Sequence, residues 1–422
     1  MLPVRTEVEA LSRGAGRAHR IYWVVVLVVV LGFGVTVAYL ESWSSGTTRN
    51  QMHRPTLAAY GAPPVLGVLG VTGRYLPRER ESDITAVTIS VSWAHAEPRP
   101  GSFSSSYLSS VDHRMSAALA ADLKVVLDPG LQYPPGWVFS LPGGTRFVNQ
   151  FGDVFTGTPN SGDDVANALT DPSVRHAEGV YLSWLGSHLP SGSLAAVREG
   201  GGPLGELRYP DPVFNGRTNS YWAYDSSTAP RLPASVQGWV PGTGTTRQAQ
   251  IFLDAYNARL VGYGRWLNAM LHDDFHCEEL VLLPGWGERT GGEATEVATR
   301  LTLPMDEFNE GLDWVDLLDS LPDPTHSVAY TTYLDAPSVE ATLALEDPAD
   351  YLAYLVEGTS IRLGGENTGN GTMADLRLSL HRARLLHFAI VQWMDEAQLV
   401  ASTAGRDPAG PSFNLLRAAA TS

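Results

Sequence analysis

Two glutamates stand in contexts suited to proton transfer and attack at carbon. Glu206 lies in GGGPLGELRYP, where glycine and proline stop an ordinary helix and let the backbone turn sharply. Glu366 lies in IRLGGENTGNG, directly after an apolar run. A pair of carboxyl groups on different chain segments is what glycosidic hydrolysis requires: one protonates the leaving oxygen, the other attacks the anomeric carbon or activates water. Many of the ends of the apolar runs are shared by carboxylates and tryptophans. They read Trp93-Ala-His95-Ala-Glu97-Pro98, Asp128-Pro-Gly-Leu-Gln132-Tyr133-Pro-Pro-Gly-Trp137, Trp286-Gly-Glu288-Arg289, Tyr333-Leu-Asp335, Glu366-Asn367 and Trp393-Met-Asp395-Glu396. Such pairings suit sugars, whose apolar ring faces stack on aromatic planes while their hydroxyls bond to charged acceptors.

The elements that must position these residues are short apolar runs alternating with longer segments of helical period. The runs are 65–71, 86–93, 123–128, 194–199, 279–285, 327–333, 359–365 and 387–393. Helical periodicity is clear in VRHAEGVYLSWLGSHL (174–189) and QAQIFLDAYNARLVGYGRWLNAMLHDDF (248–275), among others. Eight βα alternations predict an α/β fold, a (β/α)8 TIM barrel, with insertions at about 138–165 and 207–245. In that fold the C-terminal strand ends carry the site. A doubly wound open sheet is the structural alternative.

The chain has 422 residues with 45 acidic and 29 basic side chains, a net charge of −16 that disfavours nucleic acid as a partner. The one cysteine, Cys277, excludes an intramolecular disulfide or a multi-cysteine metal cage. Residues 21–40 carry no charge and are long enough for a transmembrane anchor. Arg5, Arg13, Arg17 and Arg20 outnumber Glu7 and Glu9 ahead of it, which places 1–20 as a cytoplasmic tail and the rest outside. That tail carries +2 (four minus two), leaving −18 on the exported part, which favours a neutral or cationic substrate. Residues 41–63 read as a stalk and 64–422 as the catalytic domain. The expected location is a single-pass cell-membrane protein with its catalytic domain extracytoplasmic.

GPLGELRYPDP resembles the β-amylase signature in which the glutamate of Gly-Glu-Leu-Arg-Tyr-Pro is the general acid. YWAYD (221–225) and the segment 251–271 are similar to β-amylase regions that follow it, so this likeness covers the middle third of the chain. The earlier stretch from SVSWAHAEP to LQYPPGW is similar instead to strands two and three of clan A β-galactosidases. Where β-amylases carry Gly-Gly-Asn-Val-Gly-Asp after the third strand, this chain has PGLQYPPGW. Both resemblances imply a glycoside hydrolase on a (β/α)8 barrel, with Glu206 as acid and Glu366, after the seventh strand, as nucleophile or base. β-Amylases invert and clan A enzymes retain. The missing loop and the early strands favour retention.

For the substrate, the rim residues Trp93, His95, Asp128, Gln132, Trp137, Arg208, Trp286, Tyr333, Asn367 and Trp393 are the expected carbohydrate contacts. Arg74 is a candidate hydrogen-bond donor holding Glu366 ionised, and Glu97 is expected to close its loop. No cofactor or metal is called for. Gly200, Gly202 and Gly205 match GxGxxG, but ELRYPDP cannot open the helix a dinucleotide site needs. His272 and His276, four apart, read as a solvated helix end. Two other classes remain: a noncatalytic carbohydrate-binding barrel, and a scaffold in cell-envelope polysaccharide assembly. Composition leaves the oligomeric state open.

Overall fold

A computed structural model describes residues 56–157, 163–190, 192–289, 291–338 and 347–414. The 21–40 segment and the stalk up to residue 55 lie outside the described residues. Among the described residues no helix is long and apolar enough to cross a membrane.

Eight parallel strands close into a barrel in chain order: β1 (Val65–Val68), β2 (Ala86–Ser90), β3 (Lys124–Asp128), β4 (Leu194–Glu199), β5 (Glu278–Leu283), β6 (Ser327–Thr331), β7 (Arg362–Glu366) and β8 (Ile390–Trp393). β8 pairs with β1 from Val65–Ile390 to Val68–Trp393, which closes the sheet. All eight fall on the apolar runs read from the sequence. They were legible because strands of a closed parallel barrel are buried on both faces and so form nearly unbroken hydrophobic runs.

Strand parity sorts the side chains. Val65, Ala86, Val126, Ala196, Leu280, Val328 and Ile390 fill the barrel interior. Val87, Val125, Val197, Val281, Ala329 and Val391 point to the helical layer. The period of two then decides which residues at the upper strand ends face the cavity. Arg198, Tyr330, Glu366 and Gln392 share the inward parity; Glu199 and Trp393 do not.

Below, Glu278 pairs with Arg362, and Lys124, the chain's one lysine, donates to the Thr56 carbonyl at 2.5 Å. Leu57 is buried with the interior residues, so ordered packing begins ahead of Pro64.

The helix Thr246–Phe275 opens with a capping box between Thr245 and Gln248. It buries Phe252, Tyr256, Leu260, Tyr263, Leu267 and Leu271, a stripe at spacings of three and four. The long connection 200–245 rests on this helix, with Tyr221 and Trp239 packed on Phe252. Tyr209 stacks on Tyr256 with centroids 3.9 Å apart, and its hydroxyl donates to the Tyr256 carbonyl at 3.0 Å. The segment that carries Glu206 is thereby fixed to a 30-residue helix rather than left as a free loop.

Candidate active site

Glu366 ends β7 with its carboxylate inside the barrel mouth, 5% exposed. Arg198 of β4 donates to it twice, Nη1 to Oε2 at 2.6 Å and Nη2 to Oε1 at 3.1 Å. The Tyr330 hydroxyl lies 2.9 Å from Oε2 and 3.0 Å from Gln392 Oε1, and Gln392 in turn donates to Thr88. A β-carbon on Gly364 would lie 2.8 Å from the Tyr330 ring, so the glycine leaves room for that tyrosine. A two-point guanidinium contact fixes the carboxylate's orientation as well as its charge. Burial acts on Arg198 in the opposite direction, but the neighbouring Glu366 keeps its guanidinium pKa raised.

Glu206 reaches the same mouth from the segment after β4. Gly202 N–H donates to the Glu206 carbonyl at 2.8 Å, and Leu207 N–H donates to the Leu282 carbonyl at the end of β5 at 3.1 Å. Asp163 accepts from Leu204 N–H at 2.8 Å. This turn admits no side chain at two points: a β-carbon on Gly200 would sit 2.0 Å from the Gly205 carbonyl, and one on Gly201 2.1 Å from the Tyr263 hydroxyl. The glycine run is therefore explained by close packing over the barrel rather than by phosphate binding.

The Glu206 carboxyl is 7% exposed. Thr332 donates to Oε1 at 2.6 Å, and Arg208 Nε forms an ion pair with Oε2 at 3.0 Å without the alignment of a hydrogen bond. Burial raises its pKa. Arg208 and Thr332 oppose that rise, and the charge of Glu366 adds to it. The two carboxylates are thus within electrostatic reach of one another. Arg208 is itself divided among Glu206, Asp211 at 2.7 Å and Glu310 at 2.6 Å, so only part of its charge faces Glu206. Burial also raises Glu310 to about 8. The two carboxyls thus differ in surroundings: burial pushes the pKa of Glu206 up, while Glu366 is gripped by a bidentate guanidinium.

Several other rim residues join this pair. Asp128 accepts from Gly130 N–H at 2.9 Å and from Gln132 Nε2 at 3.2 Å. Gln132 is packed where a β-carbon on Gly205 would meet it at 3.0 Å, next to Glu206. The charge of Glu206 adds to burial in raising Tyr333 to about 12. Beside Gln132 opens a cavity of about 320 Å³ bounded by Tyr133, Phe139, Arg146 and Asp164. A larger cavity of about 690 Å³ lies elsewhere, between the helices Pro172–His188 and Thr246–Phe275, and contains neither acid.

The remaining expected contacts are placed differently. Trp93 is fully buried, stacked on Tyr181 and donating to Glu97 at 2.9 Å. Trp137 meets it edge-on and donates to the Glu97 carbonyl at 3.0 Å. Trp393 has outward parity, is buried, and donates to Gln398 at 3.1 Å; Gln392 takes the inward position. Asn367 ties the β7 and β8 loops together through Met394. His95 is exposed against Tyr107, and Trp286 is half-buried at the end of β5. Arg74 is exposed and sits over Tyr75, so the donor to Glu366 is Arg198 instead. Glu97 accepts from Gly101 N–H at 2.7 Å and so holds its loop.

No family model and no curated protein matches this chain. Solved structures do. The catalytic domain of β-amylase from Paenibacillus polymyxa superposes with a TM-score of 0.59 at 15% identity, over 84% of this chain and 96% of that one. The likeness is one of fold. A β-galactosidase from the haloarchaeon Halorubrum lacusprofundi gives 0.54 at 12% identity, over 84% of this chain and 57% of its own. One from Marinomonas ef1 gives 0.51 at 14%, over 78% and 54%. The chain thus spans nearly all of the β-amylase domain and somewhat over half of each β-galactosidase. These are the two groups whose motifs the sequence resembles, in its middle and early parts respectively.

Proposed function

We propose that this chain is a glycoside hydrolase in which Glu206 is the general acid/base and Glu366 the nucleophile. The observation that carries the reading is the convergence at the barrel mouth of two buried carboxyls, Glu206 on the segment after β4 bonded to Thr332 and Glu366 at the end of β7 beside Tyr330, with unlike electrostatic surroundings. Glu206, its pKa raised by burial, delivers a proton to the glycosidic oxygen as the bond to the anomeric carbon breaks. Glu366, oriented by Arg198 and Tyr330, attacks that carbon. Water then attacks the same carbon as Glu206 takes its proton, the ester bond to Glu366 breaks, and the sugar leaves with retained configuration. Support for retention comes from the sequence: the early barrel resembles clan A enzymes and the β-amylase loop motif is replaced by PGLQYPPGW.

The acidic chain favours a neutral sugar over a polyanionic one. Anchoring through residues 21–40, with the barrel outside the cell membrane, rests on that segment's length and the arginines ahead of it. A panel of neutral glycosides followed by proton NMR tests the proposal. It predicts hydrolysis of at least one glycoside with the first-formed anomer matching the substrate's. An inverted product reassigns Glu366 as base. Binding without product on any glycan would support the noncatalytic barrel instead.

A further inference from the structure

The opposite end of the barrel holds a second cluster of chemically capable side chains. His272 lies in the last turn of the helix Thr246–Phe275, and Asp323 and His326 lie in the loop that enters β6. His276, four residues on, is instead the left-handed cap of that helix and stands outside the cluster. One donor atom from each of His272, Asp323 and His326 lies within 4.8 Å of the others. Asp323 Oδ2 is the common point, 2.8 Å from His326 Nδ1 and 3.9 Å from His272 Nε2. Its other oxygen is occupied by Thr325, which donates through N–H at 2.9 Å and through its hydroxyl at 2.5 Å. The aspartate is thus already oriented by its own turn.

Behind His272 stands Glu279, whose side chain is wholly buried. Its Oε1 is 3.2 Å from His272 Nδ1, while its Oε2 has no hydrogen-bond partner. Parity explains the placement, since Glu279 points out of β5 into the helical layer beside Glu199, whose Oε1 is likewise unpartnered. Among the described residues neither glutamate hydrogen-bonds or ion-pairs with an arginine or lysine. A histidine whose Nδ1–H is held by a carboxylate presents Nε2 as a lone pair, the arrangement that tunes histidine ligands in metalloproteins.

We propose that His272, Asp323 and His326 form a binding site for a divalent transition-metal ion, zinc by preference, with Glu279 orienting His272. Two imidazoles and one carboxylate are the ligand types this ion takes, and solvent supplies the fourth position. Tetrahedral zinc separates its donors by about 3.4 Å, so the 3.9 Å His272–Asp323 gap must close by about 0.5 Å and the 2.8 Å His326–Asp323 contact open by about 0.6 Å, small shifts that two partly exposed histidines can make. The ion would tie the end of the long helix to the entry of β6. The site is at the N-terminal end of the barrel, remote from Glu206 and Glu366, so its role is structural.

The test is calorimetric titration of chelator-treated full-length chain with zinc chloride, with cobalt(II) absorption as a spectroscopic readout. One ion per chain at micromolar affinity or tighter is expected, together with a raised melting temperature. His272→Ala and His326→Ala should each weaken binding by at least about 100-fold, and Glu279→Gln by about 10-fold. Both histidines are partly exposed, so these variants fold, and circular dichroism verifies it. Turnover of any glycoside is unaltered in the histidine variants. Absence of binding below 100 µM, or binding that survives both histidine substitutions, would overturn the proposal.

Discussion

Replacing Arg198 by methionine isolates the ion pair on which the site's electrostatics rest. The guanidinium contacts Glu366 at 2.6 and 3.1 Å, with both side chains nearly buried, and Tyr330 is the other donor to that carboxylate. Removing one partner of a buried pair leaves an uncompensated charge, typically at a cost of about 3–5 kcal/mol. For a domain of this size that is roughly 4–7 °C in melting temperature. Calorimetric melting of the variant beside the wild type reads this deficit directly. In Arg198→Met/Glu366→Gln no buried charge is left, and melting should return to within about 1 kcal/mol of the parent. A single variant as stable as wild type, or a double variant no better than the single, refutes the reasoning.

Three further outcomes follow from the geometry. Since Glu206 must be protonated to act as acid, activity should fall as pH rises through its raised pKa; Arg208→Met removes an opposing charge and should move that alkaline limb of kcat/KM to higher pH. Glu178 is buried against Tyr263 with its pKa raised to about 8. It therefore stabilises the fold below the ordinary carboxylate range and loses that contribution as pH climbs to about 8, so Glu178→Gln should melt higher than wild type at pH 9 and show little gain at pH 5. Gly201→Ala forces a β-carbon to 2.1 Å from the Tyr263 hydroxyl and should cost about 1–3 kcal/mol in urea unfolding while lowering kcat more than it alters KM.

The barrel and its two acids were legible in the sequence for different reasons. Strands declared themselves as continuous apolar runs bounded by loops, and Glu206 by a glycine run that only a tightly packed turn requires. What escaped was parity at the strand ends. In LAAVRE the glutamate attracts attention, yet Glu199 faces Asn268 in the helical layer, and it is Arg198 that enters the barrel. The same one-residue step separates Trp393, which packs outward, from Gln392, which reaches Tyr330. Arg74 and Arg198 are alike in type; closure of the barrel brings Arg198 of β4, not Arg74, to Glu366. Counting two positions on from an interior residue such as Ala196 would have found Arg198. Thr332, which bonds Glu206, and Glu310, which pairs with Arg208, had no such signal, because both lie on connections whose paths depend on tertiary packing.

The central claim is that Glu206 and Glu366 share one reaction. Turnover by Glu206→Gln and Glu366→Gln on matched glycosides with alkyl and activated aryl leaving groups tests it most directly. The account predicts that Glu206→Gln loses about 10²–10⁴-fold on the alkyl glycoside and far less on the aryl one, which needs little proton assistance, while Glu366→Gln is crippled on both. Wild-type-like rates in either variant, or identical losses of Glu206→Gln on both leaving groups, would contradict it.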